Sequence, residues 1–219
     1  MKILNYLTSD EKKIAVFYAF VVFCLILFSV FIHFSWPAFD AQVISLVSQD
    51  RGKSFSGLMT FISWWGMSFQ MTWTVLVVAL LFRLASYKRE AWFVLSVFPA
   101  DVVNVLLKLI INRPRPHPQA MSAILKFQQS SFPSGHVVHY VVFFGFILTV
   151  MLVQSRIPRI VRWVISLLCV LLLAGVSIAR IYAETHWPTD ILAAYIIGFT
   201  MLVAVILQYL KGLHPHHEN

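Results

Sequence analysis

Long apolar runs, separated by short polar connections, constrain the fold of this chain more than any other feature. Of its 219 residues, 59% are hydrophobic and only 12% are charged. A chain of this length cannot bury so much apolar surface in one water-soluble core, so a bilayer must solvate part of it. We therefore expect an integral membrane protein.

The apolar runs predict an all-α, polytopic membrane protein built as a bundle of six transmembrane helices. Before the second run, the segment Phe55 to Trp65 has apolar residues at helical spacing and paired tryptophans, which indicates an interfacial amphipathic helix. No repeat or linker divides the chain, so residues 1–219 are expected to form a single domain. Long connections are expected from Phe34 to Gly57 and from Asn112 to Gly135. The predicted spans are Ile14 to His33, Ser68 to Leu84, Ala91 to Ile111, His136 to Val153, Ile160 to Ile181 and Asp190 to Leu210.

The net charge of +8 comes from Lys and Arg residues that stand between apolar runs. They do not form a stripe interleaved with aromatics, so we expect no nucleic-acid partner. Lys and Arg are in modest excess on the side that carries both termini, which predicts cytoplasmic termini in the inner (plasma) membrane. Cys24 and Cys169 lie within apolar runs and are interpreted as packing residues.

Lys108 and Arg115 stand at the end of the third predicted span, in Lys108-Leu-Ile-Ile-Asn-Arg-Pro-Arg115-Pro116. A planar bidentate donor and a compact cation together can surround a phosphoryl group, so these residues are candidates for phosphate binding. The alternative is that both are anchors whose charged ends reach the headgroups.

Ser134, Gly135 and His136 follow a proline at the start of the fourth predicted span. A helix N-terminus presents unpaired N–H groups to an anion, Gly135 allows close approach of the backbone, and Ser134 adds a hydroxyl. His136 is then a candidate general acid for the leaving group. The alternative is an ordinary capped helix start.

Arg180, His186 and Asp190 bracket the connection between the fifth and sixth predicted spans. Pro188 suits the first turn of a helix, which places Asp190 in that turn, close enough to orient His186 through a ring N–H. His186 is accordingly the candidate nucleophile, and a purely structural His–Asp hydrogen bond is the alternative. Across the predicted topology all three clusters fall on the extracytoplasmic side, which favours one common site.

The three clusters together resemble the three motifs of the type 2 phosphatidic acid phosphatase family. They read Lys108-x6-Arg115-Pro116, Pro133-Ser134-Gly135-His136 and Arg180-x5-His186-x3-Asp190. The resemblance covers about Gly57 to Leu210. It implies a metal-independent membrane lipid phosphatase without a cofactor, in which the three cations hold the phosphate, His186 attacks and His136 protonates the leaving group. The third motif of the family begins Ser-Arg, whereas Ala179 stands here, which removes one hydroxyl that could contact the phosphate.

Asp101, Asn104 and Lys108 are spaced three and four residues apart, so they share one face of the third span. Buried polar residues in a bilayer are costly. They are predicted either to position Lys108 from behind or to form a hydrogen bond between helices.

We thus expect hydrolysis of a lipid phosphate or diphosphate, with undecaprenyl diphosphate or phosphatidylglycerol phosphate favoured, through a phosphohistidine. One alternative keeps the site and transfers the phosphoryl group to an acceptor lipid. The other is an anion transporter, which would carry cations at several depths, whereas these lie at one face. The expected partners are the substrate and membrane lipids, and no obligate protein partner is inferred.

Overall fold

The structure is a computed structural model that describes residues 27, 37–49, 52–117 and 129–211. Within these residues the chain is helical and contains no strand, as the sequence predicts. The helices are α1 (Pro37–Val47), α2 (Gly52–Trp64), α3 (Ser68–Leu84), α4 (Lys88–Val94), α5 (Val97–Ile111), α6 (Gly135–Val153), α7 (Arg159–Tyr182) and α8 (Pro188–Lys211).

In the described part of the chain, four segments are long and apolar enough to cross a membrane: α4 with α5, α6, α7 and α8. They coincide, within a few residues at each end, with the last four predicted spans. Helices α2 and α3 meet the same criteria only as a pair bent by 59°, which would make a fifth span. The predicted first span, Ile14 to His33, lies outside the described residues apart from Leu27. The count of six therefore stays a prediction.

The interpretation of Phe34 to Gly57 as a plain connection is wrong, because α1 and the start of α2 lie within it. Pro37 begins α1, a position that proline favours, and the helix packs against α7 and α8. Helix α1 is short, and contacts with distant parts of the chain stabilise it, so its own sequence signals it weakly.

The helix predicted before the second span is present as α2, which packs against α7. Met59 and Ile62 are buried, whereas Leu58, Phe61 and Trp64 are exposed. Its position at a membrane interface stays a prediction.

Helix α6 forms the centre of the bundle and packs against α4, α5, α7 and α8. Its sequence is apolar on all sides, as expected of a helix surrounded by others. Close packing with α8 depends on small residues: a Cβ on Gly145 would lie 2.5 Å from Leu202, and one on Gly198 would lie 2.9 Å from Val141. Helices α3 and α7 instead expose rows of large apolar side chains, which suits contact with lipid.

The bundle has two ends that matter below. At the motif end, α5 and α7 finish and α6 and α8 begin, and Arg115 Nη1 donates to the Thr185 carbonyl across the two connections (2.7 Å). At the far end, α4 begins and α6 and α8 finish, and Gln154 Nε2 donates to Glu90 Oε1 (2.7 Å).

Candidate active site

Two connections meet at the motif end, and their backbones are joined by hydrogen bonds. His117 N–H donates to the Glu184 carbonyl across the two connections (3.3 Å). Ser131 N–H donates to the Arg113 carbonyl within the first connection (2.8 Å), and Ser134 N–H donates to the Asp190 carbonyl in the first turn of α8 (3.3 Å). These contacts bring the three sequence motifs together, although they are far apart in the chain. We name six of their side chains the motif-end cluster: Lys108, Arg115, Ser134, His136, Arg180 and His186.

Lys108 and Arg115 converge on one backbone group. Lys108 Nζ donates to the Ser130 carbonyl (2.9 Å), and Arg115 Nη2 donates to the same oxygen (3.2 Å). Both side chains are largely buried. Burial lowers the pKa of Arg115 from its ordinary value, and the Asp190 carboxylate opposes that shift. The two cations are therefore fixed side by side by the path of the backbone.

His186 is 2% exposed, and its two ring nitrogens have different partners. Nδ1 lies 2.7 Å from the Ser131 carbonyl. A carbonyl only accepts, so Nδ1 carries the proton and the lone pair is on Nε2, 3.4 Å from Arg115 Nη1. Burial, followed by the positive charges of neighbouring cations with Lys108 first among them, lowers the pKa of His186 well below 6.5. The ring is thus a neutral imidazole whose Nε2 lone pair faces the Arg115 guanidinium.

Asp190 lies in the first turn of α8, as predicted, but it does not hydrogen-bond to His186. Its Oδ2 is 3.9 Å from His186 Nδ1, which is beyond hydrogen-bond distance. Oδ2 accepts instead from the Trp187 N–H (2.9 Å), and Oδ1 accepts from Arg113 Nη1 (2.6 Å). The expected ring N–H contact is therefore taken by the Ser131 carbonyl, and Asp190 fixes the loop that carries His186.

Asp40 and Arg113 are two residues of this network that the sequence interpretation did not single out. Asp40 Oδ2 accepts from Arg113 Nη2 (2.7 Å) and from the Thr189 hydroxyl (2.6 Å), and Oδ1 accepts from the Thr189 N–H (2.9 Å). Asp40 is 1% exposed. Arg113 thus lies between two carboxylates, Asp40 and Asp190. The sequence does carry one signal for this pair: Asp40 is a lone carboxylate close to an apolar run, and such a charge needs a partner.

The remaining members of the motif-end cluster carry buried polar atoms that lack a partner among the described residues. They are Ser134 Oγ, His136 Nε2 and Arg180 Nε. Buried polar atoms in proteins are normally hydrogen-bonded, and these three are placed together where they could bind one further group. Ser134 begins α6, whose first N–H groups lie at the same place. This end of α6 is therefore prepared for a ligand rich in hydrogen-bond acceptors.

The residues predicted to share one polar face of α5 have two different environments in the structure. Asp101 is paired with His139 of α6 (Nδ1 to Oδ2, 3.1 Å), which is the helix-to-helix contact that was one of the two alternatives. Asn104 lies at the site: a Cβ on Gly135 would be 3.0 Å from its Nδ2. A side chain at position 135 would therefore press on Asn104 of α5. Glu184, in the second connection, pairs with His117 (3.1 Å).

No group of three His, Cys, Asp or Glu side chains that could hold a metal ion occurs within the described ranges. The positive charge at the site comes from Lys and Arg.

The sequence pattern of the PAP2 superfamily matches residues 89–212, more than half of the chain. The chain belongs to the PAP2 superfamily. The resemblance drawn from the three motifs is confirmed, and with it the class of membrane lipid phosphatase. The matched region begins in α4 and ends just after α8, so it contains every motif residue.

Individual relatives agree with this PAP2 assignment. An undecaprenyl-diphosphatase from Sulfolobus acidocaldarius is 26% identical over 163 residues, which are 73% of each chain. The fold resembles the crystal structure of a PAP2-type phosphatidylglycerolphosphate phosphatase from Bacillus subtilis, with a TM-score of 0.73, 19% identity, and 87% of this chain and 96% of that one covered. It also resembles Aquifex aeolicus LpxE, with a TM-score of 0.53, 24% identity, and 78% and 94% covered.

Proposed function

We propose that this PAP2 protein hydrolyses a lipid phosphate or diphosphate by a metal-independent reaction in which His186 becomes phosphorylated. The observation that carries the proposal is the state of His186. Its Nδ1 is bonded to the Ser131 carbonyl, and its Nε2 lies beside Arg115. A neutral imidazole held in that tautomer next to cations is a nucleophile placed beside a binding site for its anionic target.

The reaction would proceed in two balanced steps. His186 Nε2 attacks phosphorus as the bond to the leaving oxygen breaks, and that oxygen takes a proton from His136 Nε2. A water molecule then gives a proton to His136 and attacks phosphorus, and the P–N bond breaks to restore neutral His186. Lys108, Arg115, Arg180 and the Ser134 hydroxyl would hold the phosphoryl oxygens throughout.

We favour undecaprenyl diphosphate as the substrate, following the archaeal relative, with phosphatidylglycerol phosphate as the next choice. The test is phosphate release by the purified protein from undecaprenyl diphosphate, phosphatidylglycerol phosphate and phosphatidic acid, with and without excess EDTA. We expect turnover to survive EDTA and vanadate to inhibit it. Loss in EDTA that magnesium restores would contradict the metal-independent mechanism. Transfer of phosphate to an added lipid alcohol without release would assign a phosphotransferase instead.

We also propose that the motif end faces away from the cytoplasm and that both termini are cytoplasmic. A cysteine replacing His117, whose side chain is 67% exposed at the motif end, should react with an impermeant maleimide in intact cells. A cysteine replacing Ser155, exposed after α6 at the opposite end, should react only after permeabilisation. Both variants are made in a background that lacks Cys24 and Cys169. The reverse labelling pattern would place the site in the cytoplasm.

A further inference from the structure

The turn that follows α2 lies against the beginning of α6. We propose that this turn positions the imidazole of His136 for proton transfer, and that Gly66 is the positioning residue that leaves room for the ring. The inference rests on the general-acid role of His136 in the proposed function, and it adds a part of the chain outside the three motifs and the matched region.

The contact between Gly66 and His136 leaves no space for a side chain. A Cβ on Gly66 would lie 2.1 Å from His136 Cδ2, 2.7 Å from Cγ and 2.9 Å from Nε2. These separations are shorter than any real contact of a Cβ, so the ring would have to move. The atoms in the way belong to the imidazole ring and not to the backbone, so the ring is the group that must shift. An alanine at this position would therefore shift the reactive nitrogen more than it would harm the fold.

The end of α2 also contacts α6 through its last carbonyls. Tyr140 Oη donates to the Ile62 carbonyl, and the His136 ring lies beside the backbone of Ser63. His136 and Tyr140 are four residues apart, so they lie on the same face of α6. Carbonyls in the last turn of a helix lack partners within the helix. Two side chains of α6 thus lie against the carbonyl end of α2, where the Ser63 carbonyl also accepts from the Gly66 N–H (3.1 Å).

This arrangement suits a residue that gives and regains a proton. His136 Nε2 is buried and has no partner among the described residues, so the ring nitrogen that faces Ser63 is Nδ1. A carbonyl can accept from Nδ1–H in both the neutral and the charged ring, which keeps the ring orientation constant through the cycle. The C-terminal end of a helix also favours a nearby positive charge. Nε2 is then the nitrogen whose proton is exchanged with the leaving group.

The test is a double-mutant cycle between Gly66 and His136, with Gly57→Ala as the matched control. Gly57 lies in α2, and a Cβ there would meet nothing within 4 Å. Each alanine is made in the wild type and in His136→Ala. Hydrolysis is measured with phosphatidic acid, which has an alkoxide leaving group, and with nitrophenyl phosphate, which has a good one. Thermal unfolding in detergent is followed for every variant.

We expect Gly66→Ala to slow phosphatidic acid hydrolysis by roughly tenfold to a hundredfold, up to the loss caused by His136→Ala, since general-acid catalysis contributes about 10²- to 10⁴-fold. Nitrophenyl phosphate hydrolysis should fall much less. In the His136→Ala background Gly66→Ala should cost nothing further, because the ring that its methyl group displaces is absent. Gly57→Ala should match its parent in both backgrounds.

Three results would overturn this inference alone. In the first, His136→Ala impairs hydrolysis of the alkoxide substrate while Gly66→Ala does not. In the second, Gly66→Ala costs the same in both backgrounds, and in the third it slows both substrates equally, which would show a general structural effect. If His136→Ala leaves phosphatidic acid hydrolysis intact, the general-acid role in the proposed function fails, and the positioning role fails with it.

Discussion

At the far end of the bundle Glu90 Oε1 accepts hydrogen bonds from Gln154 Nε2 and Tyr209 Oη, whereas at the motif end Ser134 Oγ and His136 Nε2 are buried without a partner among the described residues. We name the first group, with Arg89, the far-end cluster: Arg89, Glu90, Gln154 and Tyr209. Arg89 Nη2 donates to the Gln208 and Tyr209 carbonyls there, although its Nε has no partner in the described part of the chain.

Charge differs between the two ends as well. The far-end cluster contains one carboxylate and one guanidinium. Among the described residues, the motif end buries Lys108, Arg113, Arg115 and Arg180 together with the carboxylates of Asp40 and Asp190 alone. Burying like charges costs free energy, and a protein retains such an arrangement where function needs it. The far end therefore serves stability, and the motif end has an excess of buried positive charge that a bound anion would balance.

The largest expected effect is that of His186→Ala. We expect turnover of every substrate to vanish, together with any phosphoenzyme trapped by quenching in base, in which a phosphohistidine survives. Removing the buried ring also leaves the Ser131 carbonyl without its donor, so we expect the midpoint of thermal unfolding to fall as well, and turnover is measured at temperatures where the variant stays folded. If this variant lost stability but kept measurable turnover, His186 would serve stability, and the contrast in role between the motif end and the far end would be wrong.

Asp40→Asn should lower both stability and turnover, because Asp40 supports the motif end without reaching the phosphate. Removing its charge weakens the pair with Arg113 (2.7 Å). We expect the free energy of unfolding to fall by about 1–3 kcal/mol. Turnover should fall on the order of tenfold, less than the 10²-fold that a 1 Å misplacement can cost. Rates and unfolding are measured on the same preparation, and unchanged turnover would limit Asp40 to stability.

A smaller effect is expected on the acid limb of the pH profile of kcat/KM. It tests whether the positive charges at the motif end lower the pKa of His186. Because the pKa of His186 is lowered well below 6.5, the nucleophile stays unprotonated as the pH falls past that value. Protonation of His186 should therefore lower kcat/KM only at a pH well below 6.5. Lys108 contributes to the lowering, so Lys108→Met should raise the pKa and move the acid limb to higher pH. Using one substrate for both proteins cancels its own ionisation. An unmoved limb would show that Lys108 does not act on His186.

Glu90→Ala should have the smallest effect on turnover. It leaves Gln154 Nε2 and Tyr209 Oη without their shared acceptor, and each unsatisfied buried group costs about 1–3 kcal/mol. We expect a lower unfolding midpoint and an unchanged kcat at temperatures where the protein stays folded. A specific loss of kcat would mean that the far end communicates with the site.

Much of this molecule could be predicted from its sequence because apolar periodicity and side-chain motifs are local signals. The four long spans were located within a few residues, and the three motifs do meet. Helix α1 was missed because contacts made elsewhere in the chain stabilise it. The pair of Asp40 and Arg113 was missed because its residues are 73 positions apart. The acceptor of the His186 N–H was assigned to Asp190 because a backbone carbonyl such as that of Ser131 leaves no trace in a sequence.

The stretch from Ser130 to Ser134 has a consequence for how this site can change. Lys108 and Arg115 both bond to the Ser130 carbonyl, and His186 bonds to that of Ser131, so the nucleophile and two cations depend on main-chain atoms that every residue type supplies. Exchanging either serine for alanine removes only a hydroxyl that bonds to a nearby carbonyl. Deleting one residue would move every acceptor at once. At Ser130 and Ser131 the number of residues in the chain is therefore more tightly constrained than their identity.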